Sequence, residues 1–139
     1  MRQYSVVKMA KHKIQILNHE FTVHRLNSDE KLPPESIKSK YSWIAKTEDE
    51  FSVVCESGIQ LPSKKSESNW AAIKIVGPLD FSEVGIIAEI SKILAEAGIG
   101  IFALSTFDTD YILIKKSKIE EAITALQKNG YSIENQKDN

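Results

Sequence analysis

A chain of 139 residues with 42% hydrophobic, 8% aromatic and 27% charged residues, six Gly and four Pro is neither collagen-like nor starved of apolar side chains, so a packed core is expected. At this length roughly two-thirds of the unfolded surface can be buried, enough for one ordinary domain or two small ones sharing a core. Eighteen Lys and Arg against nineteen Asp and Glu leave a formal net charge of -1, which supplies no field to draw in nucleic acid or an anionic membrane.

The first acidic residue is Glu20, preceded by Arg2, Lys8, Lys11 and Lys13. This segment has no apolar core and no small-residue cleavage pattern, and it reads as a solvated start rather than a targeting segment. Ile14–Leu17 and Phe21–Leu26 follow as short strands, Pro34–Ser39 as a helical turn, and Tyr41–Thr47 with Phe51–Cys55 as a hairpin. The single cysteine, Cys55, sits in the apolar run 51–55, cannot form an internal disulfide, and reads as a small buried hydrophobe in a reducing compartment. His12, His19 and His24 stand at spacings that suit neither a helix pair nor a strand pair of metal ligands, so no metal is expected.

The run Ser63–Asn69 has no apolar residue and follows Pro62, which marks it as a linker between residues 1–62 and 70–139. Beyond it the signals are ordered. Trp70–Val76 predicts a strand ended by Gly77-Pro78. Ile86, Ile90, Ile93 and Ala97 then recur at helical spacing, with Ile87 and Leu94 beside them, until Gly98 stops the helix. Asp80 or Ser82 would cap its start, with Glu83 closing a capping box. Ile99–Thr106 and Tyr111–Lys115 form a hairpin across Phe107-Asp108-Thr109-Asp110. Ser117 and Glu120 form a second capping box ahead of the stripe Ile119, Ala122, Ile123 and Leu126, Gly130 ends that helix, and Tyr131–Glu134 closes the sheet. The order from Trp70 is βαββαβ, a four-stranded sheet with two helices on one face. A repeat at an offset of sixty aligns Glu48-Asp49-Glu50-Phe51 with Asp108-Thr109-Asp110-Tyr111, so the first half is expected to be an abbreviated copy of the second.

No stretch is long enough to span a bilayer: the longest apolar run, Ile99–Leu104, is six residues. No glycine-rich phosphate loop is present, so no nucleotide cofactor is expected. An RNA-binding sheet would carry stacked aromatics amid Lys and Arg on its central strands, whereas Ile99–Leu104 has one Phe and no charge. What remains is the loop 77–85 and the turn 106–110, which a βαββαβ sheet brings to one end. A helix N-terminus receives a carboxylate, and the carboxylates of Glu83 and Asp110 receive an ammonium. Together they match a free amino acid. The alternative is that these residues are only helix caps and turn formers, which for Asp80 and Asp108 is the preferred reading.

Gly77-Pro78-Leu79-Asp80-Phe81 with Val84-Gly85-Ile86, then Leu94–Ile99, then Ser105–Tyr111, resembles the ACT-domain family. More narrowly it is similar to small bacterial proteins with tandem ACT-like units, related to the ACT domains of the eukaryotic cytosolic arginine sensor and of aspartate kinases. The resemblance implies an α+β, ferredoxin-like βαββαβ unit preceded by an abbreviated ACT-like unit, no catalysis and no cofactor. It implies regulatory, allosteric binding of a small molecule, usually an amino acid, between ACT units, with contacts at Glu83, Gly85, Ile87, Thr106, Phe107 and Asp110. Gly85 would let the backbone approach the ligand closely. With at most two units in the chain, a cytoplasmic homodimer is the natural way to complete the site. The runner-up is a structural or protein-interaction module of the same fold without a ligand, and a hydrolase using Glu83, Asp108 and Asp110 is a third, weaker reading.

Overall fold

The computed structural model describes residues 12–76 and 85–137. Eight strands form one sheet: β1 (Ile14–Ile16), β2 (Phe21–Asn27), β3 (Ser42–Lys46), β4 (Glu50–Glu56), β5 (Lys65–Ile75), β6 (Ile101–Ser105), β7 (Asp110–Lys115) and β8 (Ile133–Asn135). Two helices, α1 (Ile86–Glu96) and α2 (Ile119–Lys128), complete the βαββαβ order in the second half. Among its described residues the first half has in place of a helix only a 3₁₀ turn at Pro34–Ile37.

The expected linker is mostly strand. Residues 65–69 are the solvent-exposed first half of β5, paired with β2 at Arg25↔Lys65, His24↔Ser66 and Val23↔Glu67. Polar side chains suit a segment whose faces are wet, because the backbone ladder holds it and no core contact is needed. Between Glu67 and Trp70 the register slips by one residue, and Asn69 takes a left-handed conformation at φ 67. This is a β-bulge, which bends the strand and sharpens its twist. Lys115 closes it by donating from Nζ to the Ser68 carbonyl at 3.0 Å.

Past the bulge β5 changes partners. Its far half pairs with β7 on one edge, Trp70↔Lys115 to Lys74↔Tyr111, and with β1 on the other, Ile14↔Ile75 and Ile16↔Ile73. β8 adds parallel to β1 rather than to β5. The sheet of the second half is therefore five strands wide, β6-β7-β5-β1-β8, with a strand from the opposite end of the chain inside it. Sequence order alone predicted four, since a three-residue strand has no pattern that names its partner.

Alternation along β5 and β7 gives each face its own core. Ile73, Ile75, Ile112 and Ile114 pack under Ile90, Ile93 and Leu94 of α1 and Ala122 and Leu126 of α2. On the opposite face Trp70, Ala72 and Leu113 meet Phe21 and Val54 from the first half, with Tyr41 and Trp43 stacked 6.4 Å apart and Trp43 5.0 Å from Tyr111. The first half thus covers the face that the helices leave open. Its own outer face is closed by loops, with Leu32, Ile59 and Leu61 over Leu26, Phe51, Val53 and Cys55. Each fully buried side chain of this size contributes about 1.5–3 kcal/mol of transfer free energy, so both faces count.

Both helices end as read. Gly98 at φ 76 and Gly130 at φ 92 sit in paired six-to-one and five-to-two closures, Ile99 N to Leu94 O with Gly98 N to Ala95 O, and Tyr131 N to Leu126 O with Gly130 N to Gln127 O. Their starts differ from expectation. The Ser117–Glu120 capping box does not form: a 3₁₀ turn at Lys116–Lys118 runs straight into α2, and Lys118 makes no side-chain cap. The short i to i+3 bond of that turn, Ile119 N to Lys116 O, does what the serine was expected to do. At α1 the described helix is capped by Gly85, at φ 87, and Asp80 and Ser82 lie outside the described residues.

Two outcomes follow from the shared strand. A fragment of residues 63–139 lacks β1, leaving one edge of β5 and of β8 unpaired, and circular dichroism should show it unfolded. Asn69→Gly should change stability by less than about 0.5 kcal/mol in urea, whereas Asn69→Val, forced into the left-handed region, should cost roughly 1–2 kcal/mol.

Candidate functional site

The turn between β6 and β7 is built by two threonines. Thr106 donates from its backbone N to Thr109 O at 2.8 Å and from Oγ1 to the same carbonyl at 3.1 Å, and the Thr109 amide donates to Thr106 Oγ1 at 3.3 Å. Thr109 itself is buried, and its hydroxyl donates to Ile75 O at 2.5 Å. That bond fastens the turn to the end of β5, the point from which the chain leads on to Gly85 and α1. Thr109 was missed in the sequence because a threonine in a turn carries no mark of burial.

Around this anchor the structure places the expected residues as follows. Asp110 opens β7 on the helix-covered face it shares with Ile112 and Ile114, and accepts the Ser105 hydroxyl at 2.5 Å. Phe107 stands at the tip, 80% exposed. Gly85 begins α1 with its carbonyl receiving Glu89 N at 2.8 Å. A Cβ there would meet nothing within 4 Å, so the positive φ, and not crowding by the protein, calls for glycine at this position. Ile87 is the second residue of α1 and packs against the helix-side core. Glu83 lies outside the described residues. Asp108 contributes charge: burial pushes the Tyr111 hydroxyl above its usual range, and Tyr41 and the Asp108 carboxylate push it further. Asp108 and Asp110 make this turn acidic.

The hairpin of the first half is the same device. Trp43↔Val54 and Lys46↔Phe51 repeat Phe102↔Leu113 and Ser105↔Asp110 at an offset of 59. Thr47 N to Glu50 O at 2.9 Å repeats Thr106 N to Thr109 O, and the Thr47 hydroxyl bonds the turn as that of Thr106 does. The expected offset of sixty is therefore one residue out: it matched aromatic to aromatic, whereas the ladders match Phe51 to Asp110. In the first hairpin Phe51 takes the place of the acid and Lys46 that of Ser105, with the Lys46 ammonium 5.3 Å from the Phe51 ring centroid. Both turns carry acids, Glu48, Asp49 and Glu50 in the first and Asp108 and Asp110 in the second, but the position of Asp110 is acidic in the second alone.

The other chemistry-bearing residues of the first half are engaged in structure. His19 Nδ1 lies 2.7 Å from Glu56 Oε1, and the other carboxylate oxygen accepts Ser39 Oγ at 2.6 Å and Lys40 N at 2.5 Å. Burial works against that charge, but the hydrogen bonds and His19 outweigh it and hold Glu56 below the usual carboxylate range. His24 is buried, its proton affinity lowered by burial, with Nδ1 2.7 Å from Ser63 Oγ. Burial and Glu56 push the Cys55 thiol up, which suits packing rather than nucleophilic attack.

Comparison with known proteins now bears on the site. A family model described as the ACT domain matches residues 65–128, and one described as an N-terminal domain matches residues 19–64. A crystal structure of an Agobacterium tumefaciens protein superposes with a TM-score of 0.85 at 30% identity, covering 92% of this chain and 96% of that one. This chain belongs to the ACT-domain family. It is also 32% identical over 103 residues to the mouse cytosolic arginine sensor for mTORC1 subunit 1, which takes in 68% of this chain and 31% of that protein. The chain therefore spans about a third of that relative. Aspartate kinase from Synechocystis shares the fold, with a TM-score of 0.65 at 16% identity over 100% of this chain and 31% of the enzyme. Among the described residues no helix is long and apolar enough to cross a membrane.

The threonine anchor is directly testable. Thr109→Val keeps the shape but leaves Ile75 O without its buried donor, and should cost roughly 1–3 kcal/mol in urea unfolding, while Thr109→Ser should restore most of it.

Proposed function

We propose that the chain is a non-catalytic regulatory module that binds a free amino acid at the end of the sheet where α1 begins, in an interface between ACT-like units. The observation that carries this is the Thr109–Ile75 bond, which fastens the turn bearing Asp110 to the end of β5, the strand that precedes α1 in the chain. The ligand's ammonium or guanidinium pairs with Asp110 and Glu83, and its carboxylate meets the amides that open α1. Gly85, Ile87, Thr106 and Phe107 complete the contacts. The relatives support the reading: the arginine sensor is named for an amino acid, and a putative regulatory domain of aspartate kinase from Porphyromonas gingivalis shares the fold.

Phe51 stands in the first half where Asp110 stands in the second, which supports one ligand site per chain. Completion of that site from a second copy makes the working unit a homodimer in the cytoplasm. Regulation would then be differential affinity, the ligand favouring the arrangement in which both walls of the site are in place.

A thermal-shift panel of the free amino acids tests this. One or a few should raise the melting temperature, since a ligand at one hundred times its dissociation constant adds roughly 2.7 kcal/mol. Asp110→Ala should abolish that shift with little change in the unliganded melting temperature, because Asp110 bonds only Ser105 at the surface. No shift with any amino acid at millimolar concentration would leave the ligand-free interaction module as the reading.

A further inference from the structure

Trp70 is 8% exposed, yet its indole N–H is buried without an acceptor. A buried donor left unpaired is unfavourable, and a native fold that retains one has a use for it or fills it from outside. Trp70 lines a cleft of about 650 Å³ on the face opposite the helices, where β2, β4 and the first half of β5 meet β6, and His24, whose Nε2 is likewise buried without a partner among the described residues, lines it too. Trp70 and Phe102, with ring centroids 6.4 Å apart, form one wall and Val23 extends it. The volume falls in the range of small-molecule sites.

The charges of the cleft are unevenly engaged. Glu67 faces Lys115 at 3.7 Å, and Glu50 is held by Arg25 at 3.9 Å and by the Ser52 hydroxyl at 3.2 Å. Lys64 and Lys65, on the rim, have no carboxylate partner among the described residues. Arg25 reaches its other acceptors, Asn27 Oδ1 and Asp49 O, only at 3.4 and 3.3 Å. A donor in the wall, an aromatic surface and spare cations at the mouth make a set that a planar body bearing a carboxylate satisfies at once.

We propose that this cleft is a second binding site, separate from the amino-acid site, for a small aromatic carboxylate. Its carboxylate accepts the Trp70 N–H and pairs with the rim lysines, and its ring lies against Phe102 and Val23. The site is distinct from the turn 106–110: Trp70 pairs with Lys115, and Asp110 lies five residues away along β7, roughly 16 Å at the rise of a strand. The first half of β5 is one wall, so occupancy stiffens the segment that joins the two halves.

The chain has two tryptophans and so two indole N–H resonances, which Trp70→Phe assigns. Titration of the full chain with indole-3-acetate or phenylacetate should move the Trp70 resonance saturably and leave that of Trp43 in place. Acetate and benzyl alcohol, each carrying one half of the ligand, should not move it. The variant Lys64→Gln/Lys65→Gln, exposed at both positions, should weaken binding about fivefold, the effect of two surface ion pairs, with an unchanged melting temperature. A stationary Trp70 resonance at millimolar probe, equal shifts with benzyl alcohol, or shifts confined to the turn 106–110 would each overturn the proposal. Because the readout is Trp70, failure here leaves the amino-acid reading untouched, and the amino-acid panel can fail without affecting this one.

Discussion

The bulge at Asn69 is the constraint on which the rest of the molecule turns. An eleven-residue strand exposes two long edges of backbone, and neither half of this chain has enough strands to satisfy them alone. The bulge divides β5 into a wet segment that serves the first half and a buried segment that serves the second. It also bends the sheet enough for Tyr41 and Trp43 of β3 to reach Tyr111 of β7. Without that bend the face carrying Trp70, Ala72 and Leu113 would stay exposed. Lys115 sits on the pivot, donating to the bulge carbonyl while its ammonium lies 4.3 Å over the Trp70 ring.

Two hairpins with the same hydrogen-bonded threonine turn have diverged in what surrounds them. In the second half an eleven-residue helix packs on the sheet, and the turn carries the bonded pair Ser105 and Asp110. In the first half loops close over the core, and an aromatic ring under a lysine replaces the acid. A helix brings a set of aligned N–H groups that loops do not, and among the described residues only the second half has α-helices. The asymmetry follows from what each half must cover: the first half is itself the cover for the open face of the second.

The polar groups of the interior show the same economy. Tyr131 donates to Glu89 at 2.8 Å, joining the end of α2 to α1, and Gln136 donates to the Tyr41 hydroxyl at 2.6 Å, joining the C-terminal strand region to the first half. These bonds cross between segments far apart in sequence, where hydrophobic contact alone would not set the register. Among the described residues the exceptions are the indole N–H groups of Trp43 and Trp70 and Nε2 of His24, all buried without a partner.

Periodicity and punctuation were enough to place α1 and its glycine stop, the stripe of α2, both hairpins and the βαββαβ order, because each is set by contacts within a few residues. The polar run before Trp70 was misread because exposure on both faces gives a strand the composition of a linker, and only pairing with β2 distinguishes them. The position of β1 between β5 and β8 was invisible for a related reason: three residues carry no record of a partner about sixty residues away. Asp110 was legible as an acid in a turn, but Thr109, which holds that turn in place, was not, since its role exists only where the hairpin meets the end of β5. Sequence alone determined the local elements and the chemistry available at the end of the sheet. Tertiary structure decided which strands share β5 and which threonine is buried, because backbone edges are satisfied by whatever strand the fold brings alongside, and side-chain pattern does not specify that choice.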